Sequence, residues 1–208
     1  MICDLQTPVE YICRIQISQL HPTQGGIGLI QVENEVAELK QLSAKKIDKL
    51  ITKKVIPIVI APTGYYLVDR HHLTSALWRV GVREVEVKVI GRINQTDGFW
   101  QKMEQNHWAW LKNQQGMTIN PAQLPANIEQ MVDYPYRSLA GMLQDDGYFD
   151  KNKNSYFVEF AWAQWLGQQM KWQTITCNTI KQQLKQAEKL ACISAANGLP
   201  GYFGQACC

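Results

Sequence analysis

The chain has 208 residues, of which 46% are hydrophobic, 21 are Lys or Arg and 18 are Asp or Glu. This length and composition suffice for one sizeable core and exclude disorder over most of the chain. The net charge of +3 is too small to indicate nucleic-acid binding by itself.

No run of residues approaches the roughly 18 apolar positions of a membrane-spanning helix, so we expect no transmembrane segment. The first residues lack a basic segment followed by an apolar one. We therefore expect a soluble, cytoplasmic protein, with secretion after removal of a signal as the alternative.

The six cysteines lie near the two ends of the chain and show neither the spacing of a zinc site nor that of a dense disulfide framework. We therefore expect reduced thiols at Cys3, Cys13, Cys177, Cys192, Cys207 and Cys208. The terminal pair, Cys207 and Cys208, has two interpretations, a frayed tail and a lipid attachment.

The first quarter of the chain predicts a strand, a loop and two helices. Residues 9–17 alternate well enough for a strand. Residues 21–28 contain one proline and three glycines, which predicts a loop. Apolar residues at helical spacing follow over residues 32–54, and Ser43 in the middle is a candidate N-cap. This pattern predicts two short helices.

The next segment predicts a hairpin followed by a helix. Val55–Ala61 is dense in β-branched residues, Pro62–Gly64 is a turn, and Tyr65–Val68 predicts the returning strand. A helix that starts near His71 is predicted to stop at Gly81. The strict alternation of charged and apolar residues over residues 84–90 then predicts a half-buried strand.

The second half of the chain is predicted to be mainly helical. Thr96 or Asp97 is predicted to cap a helix that runs through Phe99, Trp100, Met103, Trp108 and Leu111. A loop over residues 113–125 separates it from three further predicted helices, at 138–143, 156–170 and 178–195. We predict an α+β fold, with a small α/β unit over residues 1–95 and a helical part over residues 96–208.

The junction between the second hairpin strand and the following helix carries the most ionisable chemistry. Asp69, Arg70, His71 and His72 follow the strand directly. The first N–H groups of a helix are unpaired and carry a partial positive charge, so a phosphate is the ligand favoured there. Asp69 has two interpretations, a helix N-cap and a functional carboxylate that acts as a base or holds magnesium.

The two histidines and their neighbours are the other candidates at this junction. Adjacent helical residues do not share a face, so at most one of His71 and His72 points into a site. A neutral imidazole at the positive end of a helix suits proton transfer or a phosphate contact better than metal ligation. Arg70 and Thr74 are candidate phosphate contacts, through a guanidinium and a hydroxyl.

Four candidates lie elsewhere in the chain. Gly26 belongs to the glycine-rich loop, where a backbone approaches a ligand closely. Glu33 opens the first helix and is a candidate base. Arg137 precedes a later helix and is either a phosphate contact or the partner of Asp133 or Glu159 in an ion pair. A lysine-rich segment has two interpretations, a solvated helix face and a phosphate-tracking patch: Lys40, Lys45, Lys46, Lys49, Lys53 and Lys54.

Several short motifs together resemble the "putative ParB-like nuclease" family over roughly residues 12–203. They are Leu20-x-Pro22-Thr23-Gln24, Val68-Asp69-Arg70-His71-His72-Leu73-x-x-Ala76-Leu77, Phe99-Trp100-x-x-Met103, Leu124-Pro125, Asp133-x-Pro135-Tyr136-Arg137-Ser138-Leu139-Ala140, Glu159-Phe160-x-Trp162-Ala163 and Leu199-Pro200-Gly201-Tyr202. That family is similar to the wider ParB and sulfiredoxin group, which includes CTP-using partition proteins, the ATP-using reductase sulfiredoxin and kinases of free serine.

The resemblance implies a mixed-sheet fold with a nucleotide-phosphate site at the junction of strand and helix. It makes Asp69, His71 and His72 the catalytic candidates, similar to the Asp-Gly-x-His-Arg motif of the serine kinases, with Arg70 in place of the glycine. It also implies a phosphate contact by Gln24, within a segment similar to the Pro-x-Gln segment of partition proteins. Where those kinases place a catalytic glutamate, this chain has Gln24, so the base is Asp69, a histidine or Glu33.

Three functions follow from these observations. The first is an enzyme that binds ATP or CTP with magnesium and transfers or hydrolyses a phosphoryl group, with Asp69 and a histidine acting on the phosphate. The second is a nuclease or DNA-binding protein of the partition type, which would make nucleic acid a partner. The third is a non-catalytic nucleotide-sensing module.

Overall fold

A computed structural model describes residues 2–150 and 156–203. The strands are β1 (Ile12–Gln16), β2 (Leu20–Pro22), β3 (Gly26–Ile27), β4 (Ile56–Ala61), β5 (Gly64–Leu67), β6 (Glu84–Arg92) and β7 (Val132–Asp133). The helices are α1 (Leu29–Leu39), α2 (Ala44–Lys53), α3 (His71–Arg79), α4 (Phe99–Gln105), α5 (Pro135–Asp145), α6 (Val158–Gln169) and α7 (Ile180–Ala191). The predicted α+β fold is confirmed. Cys207 and Cys208 lie outside the described residues.

The chain divides into two compact units, each made of several segments. The first unit holds residues 1–25, 32–111 and 119–132, and the second holds residues 26–31, 112–118 and 133–208. The division of the chain at residue 95 stays a prediction. Among the described residues, no helix combines the length and apolar character that a membrane span requires.

The first unit contains a mixed five-stranded sheet in the order β1-β6-β4-β5-β2. β1 pairs antiparallel with β6, and β4 pairs antiparallel with β5, which confirms the predicted hairpin. The β4–β6 and β2–β5 pairs are parallel. The parallel β2–β5 pair brings the end of β2 beside the end of β5, where the candidate junction begins.

Both faces of the central strand β4 are covered. Successive side chains of a strand point to opposite faces, yet Ile58, Val59 and Ile60 are all fully buried. Val59 joins a cluster with residues of α4, including Phe99, on one face. α2 packs against the neighbouring strand β6. The junction after β5 therefore follows a strand that pairs with this buried central strand.

The helix predicted to run as far as Leu111 is shorter in the structure. α4 ends at Gln105, and His107 adopts a left-handed conformation (φ 57°) that stops it. Its N-cap is Gly98 instead of Thr96 or Asp97. Leu111 is buried in the same cluster as α4 although it follows the end of that helix, so burial and not helical periodicity explains its apolar character.

The second unit is built around α5, α6 and α7, which pack on one another. Trp162 of α6 is fully buried and stacks on Phe149, with 4.4 Å between the ring centroids. Its indole Nε1 donates a hydrogen bond of 2.8 Å to the carbonyl oxygen of Pro200. A buried tryptophan with its one donor satisfied is a core residue, so Trp162 is unavailable for stacking on a base.

The expectation of reduced thiols is wrong for Cys3 and Cys13, which form a disulfide with each other. It is also wrong for Cys192, which is disulfide-bonded. The backbone N–H of Cys3 donates to the carbonyl oxygen of Arg14 at 2.9 Å, so the N-terminal segment lies alongside β1 and brings the two thiols together. The cysteine spacing did not predict this pairing. Disulfides are favoured by oxidising compartments, and the cytoplasmic location stays a prediction.

Loss of this disulfide is expected to destabilise the chain moderately. For a loop of this length, the entropy of the unfolded chain predicts a loss of about 2–3 kcal/mol in the free energy of unfolding. We expect that loss in Cys3→Ser/Cys13→Ser, measured by denaturant unfolding without reductant. Cys177→Ser is the control, because Cys177 is free and exposed. Equal stability of the double variant and the wild-type chain would contradict the prediction.

Candidate functional site

The candidate site begins with a left-handed turn between β5 and α3. Arg70 is the N-cap of α3 and has a φ of 65°. Its carbonyl oxygen accepts two hydrogen bonds of 2.9 Å, one from the backbone N–H and one from the hydroxyl of Thr74. The hydroxyl of Thr74, a predicted phosphate contact, therefore fixes the turn and is fully buried there.

Asp69 is exposed and does not act as the cap of α3. Its Oδ1 accepts a hydrogen bond of 2.7 Å from the N–H of Arg70, the next residue in the chain. Within the described part of the chain, its second oxygen accepts no hydrogen bond from protein. The side chain of Arg70, the N-cap residue, makes no capping hydrogen bond, and the positive end of the helix dipole lies beside this carboxylate.

The two adjacent histidines have different surroundings. His71 is 3% exposed, and its Nε2 accepts a hydrogen bond of 3.4 Å from the backbone N–H of Thr23. Thr23 in turn donates its hydroxyl to the carbonyl oxygen of Leu67, at the end of β5, over 2.7 Å. His71 thereby joins the start of α3 to the segment after β2. His72 is half-buried, and as the next residue of the helix it does not share a face with His71.

Thr23 is a residue of this site that the sequence analysis did not single out. Its contact with His71 spans 48 residues of sequence and depends on the parallel pairing of β2 with β5. No local signal predicts such a contact. Gln24, which follows Thr23, is buried, and its strand-like bridge to Trp110 holds this segment in place.

Glu33 lies at the other end of α3. Its carboxylate forms an ion pair with Arg79, the last residue of the helix. Nine residues of α-helix separate the ends of α3 by about 12 Å, at 1.5 Å per residue. The structure therefore does not bring Glu33 to the junction of β5 and α3, whereas it places Asp69, Arg70 and His72 there together.

Gly26 and Arg137 belong to the second unit. A side chain at Gly26 would clash with the ring of Tyr134, because a Cβ there would lie 2.5 Å from it. Arg137 is 8% exposed, and its guanidinium donates to Glu159 over 3.1 Å in a buried ion pair. Both residues therefore have a defined packing role within their unit.

Asp133, the other ion-pair partner predicted for Arg137, has a different contact. Its Oδ1 accepts a hydrogen bond of 3.0 Å from the N–H of Leu29. Partial burial raises the pKa of the Asp133 carboxyl, and the bond from Leu29 opposes this effect. Glu159 is thus the carboxylate that neutralises Arg137 in the described residues.

A cavity of about 170 Å³ lies at the β4–β5 turn. Aromatic and uncharged residues line it: Ala61, Pro62, Thr63, Tyr66, Gln95, Thr96, Phe99 and Trp100. A phosphate needs cationic or N–H donors, so this cavity does not compete with the junction as a phosphate site.

Over the ranges that the structure describes, no group of three or more His, Cys, Asp or Glu side chains is arranged to hold a metal ion.

Comparisons with known proteins agree with the fold. A family model described as "Putative ParB-like nuclease" matches residues 13–168, three quarters of the chain. The crystal structure of protein Atu1540 from Agrobacterium tumefaciens is similar with a TM-score of 0.81 and 30% sequence identity. The match covers 93% of this chain and 97% of that one. No curated protein matches the chain.

Proposed function

The chain belongs to the putative ParB-like nuclease family, and we propose that it binds a phosphate-bearing ligand at the junction of β5 and α3 and transfers or hydrolyses a phosphoryl group. One observation carries the proposal. Asp69, Arg70 and His72 lie together at the start of α3, and the side chain of its N-cap residue makes no capping hydrogen bond. Anion-binding N–H groups, a cation, a carboxylate and an imidazole are the groups that phosphoryl chemistry requires.

Arg70 would bind the phosphate together with the helix N-terminus. Within the described residues, its guanidinium has no carboxylate partner, and the side chain is half-buried. A guanidinium contacts two phosphate oxygens at once. The bonds from Thr74 hold the backbone of Arg70 in its left-handed conformation, so the backbone from which this side chain extends is fixed before the ligand arrives.

His72 would act as the general base. A ring nitrogen of the neutral imidazole would take the proton of a water or hydroxyl nucleophile as that oxygen attacks phosphorus. The new P–O bond forms while the bond to the leaving oxygen breaks, and the electron pair stays on the leaving oxygen. His71 would act as a positioning residue, since its Nε2 accepts the N–H of Thr23.

Asp69 would hold a magnesium ion when the ligand is ATP or CTP. Its second carboxylate oxygen supports this role, because Mg²⁺ is commonly bound by one or two carboxylates together with substrate phosphates and water. The ion would supply neutralisation of phosphate charge. The description of the family names a nuclease, which cleaves a phosphodiester, so hydrolysis of nucleic acid is the second candidate reaction.

Ligand titration and product analysis test the proposal. ATP, CTP, ADP and a short duplex DNA are each added with and without magnesium to the wild-type chain, Asp69→Asn and His72→Ala. We expect the wild-type chain to bind a triphosphate or DNA and release product. We expect Asp69→Asn to lose the part of this binding and product release that depends on magnesium. Binding without product would support a sensing module, and absence of binding to every ligand would overturn the proposal.

Replacement of Arg70 by glycine is expected to separate ligand binding from folding. Glycine adopts the left-handed conformation without steric cost. The free energy of unfolding of Arg70→Gly should therefore equal that of the wild-type chain or exceed it by up to about 1 kcal/mol. Loss of a charge-assisted contact should weaken triphosphate binding roughly tenfold to hundredfold, measured by calorimetry. Arg70→Lys is the control that keeps the charge. Unchanged affinity in Arg70→Gly would exclude Arg70 from the site.

A further inference from the structure

The feature that carries a further inference is a row of lysines on α2, in the first unit. Lys45, Lys46, Lys49 and Lys53, hereafter the lysine face, are all exposed. At about 100° per residue they fall within an arc of about 100° on the helix surface. Among the described residues, none of these four side chains forms an ion pair. The charge is therefore presented to solvent on one side.

The segment that contains the lysine face, residues 43–54, accounts for all of the excess positive charge of the chain. Residues 43–54 contain five lysines and one aspartate, a net charge of +4, whereas the whole chain carries +3. The remaining residues therefore sum to −1. The low net charge that argued against nucleic acid in the sequence is an average, and it hides a local concentration of positive charge.

The stability of α2 does not explain this row. Lys45 and Lys46 lie in the first turn, which contains no acidic residue, and positive charge is unfavourable at a helix N-terminus. Lys45, Lys49 and Lys53 repeat at a spacing of four, where like charges repel. Only Lys53, in the last turn, suits the helix dipole. Helix stability therefore does not account for the lysine face, and what distinguishes it is the local net charge of +4 over residues 43–54.

We propose that the lysine face binds the sugar-phosphate backbone of duplex nucleic acid without sequence preference. From Lys45 to Lys53 the row is about 12 Å long. One strand of a duplex presents a phosphate about every 3.4 Å along the axis, so the row follows three to four phosphates. Lysines act as point charges on phosphates and carry no sequence information.

An anionic membrane is a less suitable partner. A membrane-bound amphipathic helix inserts its apolar face between lipids. The apolar side of α2 holds Ile47, Leu50 and Ile51; Ile51 is buried, and the helix packs against β6. This face is therefore occupied by the sheet of its own unit.

The inference is independent of the proposed chemistry at Asp69 and His72, because binding requires no turnover.

The chain contains a matched control on α7. Lys181, Lys185 and Lys189 are exposed and have the same spacing as Lys45, Lys49 and Lys53. Two triple variants therefore remove the same charge from two helices: Lys45→Gln/Lys49→Gln/Lys53→Gln and Lys181→Gln/Lys185→Gln/Lys189→Gln. Glutamine is a good helix former, so both variants should fold, as circular dichroism would verify.

The experiment measures binding of the full chain to a labelled 20-base-pair duplex of arbitrary sequence by fluorescence anisotropy between 50 and 200 mM salt. We expect the α2 triple to bind at least about tenfold more weakly at 50 mM salt. The slope of log affinity against log salt should become shallower by about 2–3, at about 0.9 per lost contact. The α7 triple should bind within about threefold of the wild-type chain, because its lysines make no contact in this proposal.

Three results would overturn the inference. The first is that the wild-type chain does not bind the duplex, and the second is that both triple variants lose the same affinity for it. The third is that the wild-type chain binds anionic vesicles but not DNA, and that the α2 triple loses this vesicle binding. Equal losses would assign the binding to net charge, and the vesicle result would assign the surface to a membrane. The duplex-binding measurement needs no added nucleotide and no product release, so its outcome is separate from the test of the proposed reaction.

Discussion

Replacement of Arg137 by alanine is expected to lower the free energy of unfolding by about 3–5 kcal/mol. The change removes the cation that forms a buried ion pair with Glu159, and that carboxylate is only 6% exposed. It also removes the contact of the guanidinium with the ring of Phe160, at 5.4 Å from the centroid. Chemical denaturation followed by tryptophan fluorescence measures this loss.

Two control variants identify the origin of the loss. Arg137→Met/Glu159→Leu removes both charges and should recover most of the stability, because a buried ion pair is replaceable by apolar side chains of similar volume. Arg14→Ala removes an exposed ion pair with Glu86, whose nitrogen and oxygen lie 3.7 Å apart, and should cost no more than about 1 kcal/mol. Similar losses for Arg14→Ala and Arg137→Ala would contradict the argument.

The double variant also tests the prediction that Arg137 contacts phosphate. If Arg137→Met/Glu159→Leu folds and still binds a triphosphate like the wild-type chain, the role of Arg137 is structural. If it folds but binds more weakly, Arg137 belongs to the ligand site. Arg137→Ala alone cannot distinguish these roles, because its instability would lower the apparent affinity too.

Local patterns in the sequence were sufficient for the elements around the junction. Proline, glycine and the β-branched run predicted the β4–β5 hairpin, and the helix after it was predicted to start near His71, where α3 begins. These signals arise from backbone sterics and capping, which act over a few residues. The clustering of Asp69, Arg70 and His72 follows from their adjacency in the chain.

Contacts between distant residues were not predictable in the same way. The disulfide of Cys3 with Cys13 depends on the N-terminal segment lying beside β1, and the bond of Thr23 to His71 depends on the β2–β5 pairing. The predicted length of α4 failed because Leu111 is apolar at a helical interval and yet is buried from a non-helical segment. The periodicity of apolar residues indicates which residues are buried, but it does not by itself identify the secondary-structure element that carries them.

The same limit explains why the sequence could not separate the roles of His71 and His72. Both histidines are identical in type and adjacent, and only the fold shows that His71 is buried against Thr23 while His72 is half-buried. The structure thus leads to a different prediction for each histidine: replacing His71 should affect stability, and replacing His72 should affect turnover.

His72→Ala is expected to lower product release about 10²–10⁴-fold, the contribution typical of a general base. Its free energy of unfolding should fall by less than about 1 kcal/mol, since the side chain is only half-buried. His71→Ala should show the reverse pattern. It leaves the backbone N–H of Thr23 without its acceptor in the buried interior and should cost about 1–3 kcal/mol of stability.

The measurement pairs denaturant unfolding with product release from the substrate that the wild-type chain turns over, at a concentration where each variant is folded. His71→Gln is the matched variant, because its amide oxygen is an acceptor for the N–H of Thr23, and it should recover part of the stability that His71→Ala loses. A large loss of turnover in folded His71→Gln with normal turnover in His72→Ala would reverse the assignment and make His71 the base. Normal turnover in both variants would remove the histidines from the reaction and leave Asp69 as the base, because it is then the one remaining candidate that the structure places at the junction of β5 and α3.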